Sequence, residues 1–336
     1  MQAKKTTFFI ASGSGGHILP AQTYAKKQEF SANQIFFLTG GNSLERRLIP
    51  DGPDCIRYRS IQMPGKKIWK YPIFFYNTIF IFFKSLFLFK QTAGEKEIFT
   101  TGGILSIPIM LAAWMLRLKI TLIELNAVPG KTTRFLSPLA QQVLTVFDLK
   151  TDDPRYKVIE YPLRIFKKAN TFIKKESTSF TIALFGGSQG SRELNKFFLQ
   201  WLEKNRYLFP SLIVYHFYGN DKHINFKQWY SDRKIRAETA SWCNKPEEVY
   251  AVADLVFSRG GSGALHELLH FQKKTVILPL RSVADDHQYL NAKSMQKKDP
   301  HLFYLVSFSN DNSINSSPYN DLSLNLFISE SKKDHP

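Results

Sequence analysis

Cysteine is nearly absent: Cys55 and Cys243 are the two in 336 residues. They supply neither a disulfide framework nor a metal-ligand spacing, and they suit a reducing cytoplasm. Acid is also scarce, with 28 Asp and Glu against 45 Lys and Arg and a net charge of +17. So basic a chain calls for anionic partners: phosphorylated ligands, acidic lipid or nucleic acid. No RRM, KH, zinc-finger or helix-turn-helix signature is present, which sets nucleic acid aside. The dinucleotide fingerprint GxGxxG is missing as well. The N-terminus MQAKKTTFFIAS lacks the apolar core of a signal peptide and reads as a first strand. What remains is a globular composition, 43% hydrophobic, in a length that suits two domains.

Glycine is concentrated in turns that follow short β runs. The stretch 254–292 reads as strand 254–258, turn Arg259-Gly260-Gly261-Ser262-Gly263, helix 264–271 and strand 275–280. This is half of a nucleotide-binding α/β unit, and a glycine turn opening a helix favours an anion such as a diphosphate. Glu267, one turn into the helix, can accept both hydroxyls of a ribose. His287, Gln288 and Asn291 are expected on a loop at the strand's C-terminal edge, where ligands of open α/β sheets bind. The alternative is an ordinary packing loop with a surface acid.

The same unit occurs earlier. Strand 6–12 leads into Gly13-Ser14-Gly15-Gly16-His17, then a helix over 18–30 with Pro20 in its first turn. No acid ends the next strand, 34–39, so the loop suits an anion or a sugar rather than a dinucleotide. His17 is either a helix-cap residue or a general base. Strand 97–101 ends in Gly102-Gly103, helix 107–116 follows, and strand 119–125 brings Glu124 and Asn126 to one rim. That rim is an active-site edge or a solvated strand end. Residues 151–179, with scattered charge and Pro154 and Pro162, read as an interdomain linker. The pattern then restarts with strand 181–185, turn Gly186-Gly187-Ser188-Gln189-Gly190-Ser191 and helix 192–204. After Pro300 the signal weakens, and 310–321 reads as a loop or disordered tail.

The most apolar stretch, PIFFYNTIFIFFKSLFLFKQTA, is interrupted by Asn77 and Lys84, short of the roughly 20 clean residues that a membrane span needs. Asn77, Lys84 and Gln91, and likewise Thr78, Ser85 and Thr92, recur every seven residues. They form one narrow polar stripe on an otherwise apolar helix. Such a helix is either buried on several sides or set into a membrane interface, here flanked by Lys66, Lys67, Lys70 and Lys90.

Taken together, SGSGGHILPA, FGGSQGSRELN and ADLVFSRGGSGALHEL with DHQYLNA downstream resemble the MurG family of UDP-N-acetylglucosamine transferases. These enzymes complete the lipid-linked peptidoglycan precursor. The resemblance runs from Phe8 to about Ala292. It implies a GT-B fold: α/β, with two Rossmann-like domains whose parallel sheets face across a cleft. The expected division is an acceptor and membrane domain over 1–163, a donor domain over 164–308 and a short variable tail over 309–336.

By the resemblance, Ser14, Gly15 and Gly16 lie at the acceptor diphosphate and Asn126 touches the donor sugar. Arg164 and Ser188 meet the nucleotide diphosphate, while Trp242 and Cys243 hold the uracil. Ser262, Gly263, Ala264, Leu265 and Glu267 cradle phosphate and ribose, and Gln288 reads sugar hydroxyls. Phe82, Phe83 and Lys84 belong to the membrane patch. The family's His-Glu-Gln-Asn is Ile123-Glu124-Leu125-Asn126 here, and its closing helix is not legible in the tail.

The implied reaction is attack of a muramyl C4 hydroxyl on C1 of N-acetylglucosamine, with inversion and loss of UDP. His17 is the expected base, and Glu124 is the runner-up as base or as orienter of His17. Backbone donors at 263–265 and Arg164 meet the leaving diphosphate, so neither a metal nor a cofactor is expected. The implied partners are UDP-N-acetylglucosamine, an undecaprenyl-diphosphate-linked muramyl-peptide, anionic lipid and proteins of the cell-wall and division complex. The implied place is the cytoplasmic side of the inner membrane, attached peripherally. Two other readings share these features: a different GT-B glycolipid glycosyltransferase, and a membrane-bound UDP-sugar binding protein without catalysis.

Overall fold

The computed structural model describes residues 5–27, 30, 33–65, 67–164, 179–187, 190–279, 286–306 and 322–333. The chain divides into two units, Met1–Ile165 and Phe166–Pro336, each built on one parallel sheet. In the first unit the strands are β1 (Thr6–Ile10), β2 (Gln34–Thr39), β3 (Cys55–Arg57), β4 (Lys96–Thr100), β5 (Lys119–Glu124), β6 (Gln142–Thr145) and β7 (Tyr156–Val158). Their spatial order is β3-β2-β1-β4-β5-β6-β7. All five residues of β1 are buried, as befits a strand covered on both faces. Alternate side chains go opposite ways: Phe8 and Ile10 join one core cluster, and Phe9 joins another with Tyr24, Phe30 and Phe99. Strand order reverses between β1 and β4, so the loops after these strands flank the crevice where ligands of open α/β sheets bind.

Helices α1 (Gly15–Ala25), α2 (Ser43–Leu48), α3 (Tyr71–Gln91), α4 (Ser106–Met115) and α5 (Lys131–Leu136) complete this unit. Because α1 begins at Gly15, three residues before the expected start, Pro20 falls in its second turn rather than its first. There it withholds the N–H that the carbonyl of Gly16 would accept. Within the supposed linker 151–179, β7 pairs in parallel with β6. Residues 165–178 lie outside the described part.

The long apolar helix α3 is mounted with the Thr78, Ser85 and Thr92 side of its polar stripe toward the domain, while Lys84 and Gln91 are exposed. Ile81, Ser85 and Phe89 are its buried residues. The Ser85 hydroxyl bonds the carbonyl of Ile81 at 2.8 Å and the Tyr58 hydroxyl at 3.0 Å. Thr78 and Thr92 return their hydroxyls to the carbonyls of Phe74 and Leu88. Each small polar group is thereby satisfied without water. The opposite face exposes Ile73, Tyr76, Phe80, Phe83 and Phe87, a repeat of three and four residues that runs the helix length. With the preceding turn, the helical segment Ile68–Gln91 is long and apolar enough to cross a membrane by length and composition. The interruptions at Asn77 and Lys84 are thus weaker than the sequence reading took them to be. Phe83 belongs to the exposed face, whereas Phe82 is half-buried against the core.

The second unit holds β8 (Phe180–Phe185), β9 (Leu212–Phe217), β10 (Arg236–Ala240), β11 (Leu255–Ser258), β12 (Thr275–Ile277) and β13 (Phe303–Leu305), ordered β10-β9-β8-β11-β12-β13. Its helices are α6 (Arg192–Asn205), α7 (Phe226–Asp232), α8 (Pro246–Val252), α9 (Ser262–His270), α10 (His287–Lys298) and α11 (Leu322–Lys333). The core gathers Phe197, Phe198, Trp201 and Phe257. Two expectations change here. His287, Gln288 and Asn291 lie on α10, not on a loop. The tail is not featureless either: β13 extends the sheet, and α11 buries Leu324, Phe327 and Ile328 in the same core.

Candidate active site

In the first unit the chain leaves β1 through Gly13, whose φ is +92°. Ser14 is the N-cap of α1 but offers no side-chain cap; its carbonyl already accepts from the N–H of His17 at 3.0 Å and of Ile18 at 3.2 Å, so Gly15 and Gly16 are the first-turn donors. His17 is half-buried, and its Nδ1 lies 2.7 Å from the carbonyl oxygen of Thr101, just past β4. In return Thr101 Oγ1 donates to the carbonyl of His17 at 3.0 Å. A carbonyl only accepts, so Nδ1 carries the hydrogen and Nε2 holds the lone pair of the neutral ring. His17 therefore has the tautomer of a base at Nε2.

Glu45 is a contributor that the sequence reading passed over. Its buried carboxylate accepts from the N–H of Gly13 at 2.8 Å and from that of Asn42 at 2.9 Å. It ties the first glycine turn to α2. The signal was the capping box Asn42-x-x-Glu45.

Glu124 ends β5 fully inside the protein and works as a clamp. One carboxylate oxygen accepts from the backbone N–H and the side-chain amide of Asn126, at 2.8 and 3.0 Å, and the other from the N–H of Gly130 at 3.3 Å. The described ring contact of His17 is to Thr101. Arg164 is half-buried and lies in the first unit, not at the head of the second.

In the second unit the order reverses between β8 and β11, and the glycine turns after both strands flank that point. Gly261 caps α9 without a side chain, so the turn ahead is open to an outside acceptor. The N–H of Leu265 already bonds the carbonyl of Gly261 at 3.1 Å. The first-turn donors are thus Ser262, Gly263 and Ala264, one residue earlier than expected. Tyr250 donates to a Glu267 carboxylate oxygen at 3.2 Å and fixes its rotamer. His266 donates from Nδ1 to the Ser262 carbonyl at 2.8 Å, and burial pushes its pKa down to about 4. Trp242 and Cys243 follow the C-terminal end of β10. Ser188 lies outside the described residues.

Helix α10 is docked against the turn before α9. A Cβ on Gly260 would stand 2.0 Å from the carbonyl oxygen of Gln288, so only glycine fits. The Asn291 side-chain amide donates to the Gly260 carbonyl at 3.2 Å. Arg259 Nε donates to Gln288 Oε1 at 3.2 Å, and its Nη1 bonds the hydroxyl of Ser191. Among the described residues, no group of three or more His, Cys, Asp or Glu is arranged to hold a metal ion.

Family models match both units. Residues 7–145 match the glycosyltransferase family 28 N-terminal domain, and residues 181–322 match the C-terminal domain of that family. The chain belongs to glycosyltransferase family 28.

Among curated relatives of this family-28 chain is a UDP-N-acetylglucosamine–N-acetylmuramyl-(pentapeptide) pyrophosphoryl-undecaprenol N-acetylglucosamine transferase of Myxococcus xanthus. It is 27% identical over 300 residues, covering 84% of this chain and 76% of the relative. A Prochlorococcus marinus protein of the same description is 29% identical over 350 residues, covering 99% and 90%. Among solved structures, that of Acinetobacter baumannii MurG is similar with a TM-score of 0.72 at 22% identity, covering 99% of this chain and 93% of that one. This glycosyltransferase has the GT-B class of fold, with two parallel-sheet α/β domains.

Proposed function

We propose that this chain moves N-acetylglucosamine from UDP-N-acetylglucosamine to the C4 hydroxyl of a muramyl-peptide carried on a polyprenyl diphosphate. The reading rests on relatives named for this transfer that match over both units. It is supported by His17, whose Nδ1 is committed to Thr101 and whose Nε2 is thereby the basic atom. The hydroxyl oxygen forms a bond to C1 of the sugar while Nε2 takes its proton. The C1–O bond to the diphosphate breaks on the opposite face, and the configuration inverts.

Negative charge then grows on the departing UDP. Ser262, Gly263 and Ala264, at the head of α9, supply backbone donors for it. Arg164 adds a cation by the family resemblance, and Glu267, held by Tyr250, accepts from the ribose. Asn126 and Gln288 take the sugar, and Trp242 and Cys243 take the base. This set leaves no step that needs a metal. Ser14, Gly15 and Gly16 receive the diphosphate of the acceptor.

The exposed face of α3, with Lys67, Lys70, Lys84 and Lys90 nearby, supports peripheral attachment to anionic lipid on the cytoplasmic side of the membrane. The product would serve peptidoglycan synthesis, and through it cell shape and division alongside partner proteins of those processes. The test is product analysis after incubation with UDP-N-acetylglucosamine and a lipid-linked muramyl-peptide, with diacylglycerol as a second acceptor. A disaccharide on the muramyl lipid is expected. Transfer to diacylglycerol alone would make it a different glycolipid glycosyltransferase, and UDP-sugar binding without any transfer would make it a binding protein.

A further inference from the structure

Glu45 is a carboxylate only 3% exposed, in the first turn of α2. Burying a charge is costly unless hydrogen bonds replace its water. Here each oxygen accepts from one backbone N–H: Oε1 from Gly13 at 2.8 Å, and Oε2 from Asn42 at 2.9 Å. Asn42 returns its side-chain oxygen to the N–H of Glu45 at 2.8 Å, which closes the capping box. That box asks for one side-chain oxygen, and glutamine serves it as well as glutamate. The bond to Gly13 is what glutamine cannot add. An amide oxygen turned to either donor would set the amide NH2 against the other. The carboxylate at 45 is therefore matched to holding Gly13 as well as its own helix.

Glu45 reaches Gly13 from a fixed base. A Cβ on Gly40 would stand 2.6 and 2.9 Å from its two carboxylate oxygens, so the backbone after β2 closes over the group. Arg57 ties down both ends of α2, donating from Nη1 to the carbonyl of Gly40 at 3.1 Å and from Nη2 to that of Ile49. Gln22 of α1 donates to the carbonyl of Leu48 at 2.9 Å. Gly13 itself turns with φ at +92°, and the N–H donors of Gly15 and Gly16 follow it. On the far side of the turn, Thr101 bonds the ring and the carbonyl of His17. The turn is thus fastened at its entry by Glu45 and at its exit by Thr101, as a pre-formed anion cradle requires.

We infer that Glu45 is a positioning residue for the acceptor: by holding the Gly13 N–H it keeps the first glycine turn in the shape in which Gly15 and Gly16 receive the acceptor's diphosphate. The inference rests on the proposed muramyl-lipid reading of this turn. It gives Glu45 no contact with the substrate.

The experiment compares Glu45→Gln and Asn42→Ala with the parent. It reads KM and kcat for a short-chain lipid-linked muramyl-peptide, UDP affinity by calorimetry and the urea midpoint. Glu45→Gln should raise the acceptor KM by about tenfold or more, since a displacement of about 1 Å is enough to cost that much. The fall in kcat should be smaller, because Thr101 still holds His17. UDP affinity should stay within about threefold, as the proposed donor site belongs to the other unit. Asn42→Ala removes the other half of the capping box and leaves the Gly13 bond. It should lower the urea midpoint while the acceptor KM stays within about threefold. A folded Glu45→Gln protein with the parent's acceptor KM overturns the inference. An Asn42→Ala protein whose KM rises as far does so too, because a weakened α2 would then explain both.

Should Glu45→Gln fold poorly, Gly40→Ala tests the same point without changing Glu45. The added methyl takes the space of the carboxylate and swings it from Gly13 while its charge remains. The acceptor KM should rise and UDP affinity should hold. An unchanged KM there overturns the inference equally. A parent that transfers no sugar to the muramyl lipid would overturn the acceptor reading and this inference with it. A parent that does transfer, with variants that keep its acceptor KM, overturns only the inference.

Discussion

His17 Nδ1 and the carbonyl oxygen of Thr101 stand 2.7 Å apart where the strand order of the first sheet reverses. The bond spans two loops and assigns the ring's hydrogens in one step. His17→Ala should therefore lower kcat by about 10²–10⁴-fold, the range for a lost general base. UDP affinity should stay close to the parent's. Steady-state kinetics and calorimetry check the pair, and a mild His17→Ala beside a crippling Glu124→Gln would move the base to Glu124.

Gly102 follows Thr101 with φ at +89°. A Cβ there would meet only Thr133 Oγ1 at an ordinary 3.6 Å, so strain rather than crowding is the cost of a side chain. Gly102→Ala should destabilise the protein by about 1–2 kcal/mol. It should also lower kcat by shifting the carbonyl that orients His17. Urea denaturation alongside kinetics checks both, and full activity in a destabilised variant would separate the Thr101 contact from catalysis.

Glu267 accepts from Tyr250 and is proposed to hold the ribose. Glu267→Ala should weaken UDP by about 1.5–3 kcal/mol, the worth of hydrogen bonds to a charged group. Tyr250→Phe should cost less, since it removes only the support. Equal UDP affinity in the Glu267→Ala variant and the parent would take the ribose away from this residue.

Acid stability follows from His216, fully buried among Asn195 Oδ1, which lies 3.1 Å from Nε2, and the Tyr230 hydroxyl, which lies 2.8 Å from Nδ1. Burial pushes its pKa down to about 3, and that of His266 down to about 4, from an ordinary 6.5. With folded pKa values depressed, the unfolded chain takes up more protons below pH 6.5. Stability is therefore fully present above that pH and declines as acid is added toward the folded values. Urea midpoints should fall between pH 7 and pH 5, before most carboxylates titrate. The fall should shrink in His216→Gln, which begins less stable. A slope unchanged by that substitution would assign the effect to other groups.

Both sheets and the glycine turns were legible because buried parallel strands read as short apolar runs and the turns break them sharply. β1 and β11 fall within a residue or two of their expected ends. Helix α10 was not legible: HQYLNAKSMQKK has little apolar periodicity, burying only Ala292 and Met295 of its apolar residues, and its first turn is set by close contact with Gly260 and Arg259. The contacts of Arg259 were not legible because its partners, Ser191 and Gln288, are remote in sequence. The loop contacts of Glu124 were not legible, because a buried acid at a strand end looks the same in sequence whether it meets a substrate or a loop; the bonds from Asn126 and Gly130 appear only in the fold.

The mounting of α3 leads to the last prediction. Its serine and threonine stripe is satisfied internally, and its phenylalanine face is outward. In water that arrangement leaves a long apolar surface unburied, which a soluble domain seldom tolerates without a ligand for it. Ile81 and Phe89 anchor the inner side in the core with Ile109 and Ala113, so the helix can give lipid only its other face. Each nearby lysine adds about 1 kcal/mol of attraction to an anionic surface, and less as salt rises. The protein should co-sediment with vesicles of phosphatidylglycerol or cardiolipin and release as salt increases. Phe83→Ser with Phe87→Ser should cut the bound fraction by about tenfold or more, given roughly 1.5–3 kcal/mol for each large apolar side chain removed from water. Phe82→Ser should act mainly on stability, because Phe82 packs inward. Binding indifferent to lipid charge, to salt and to Phe83 and Phe87 together would mean that something other than membrane covers this face.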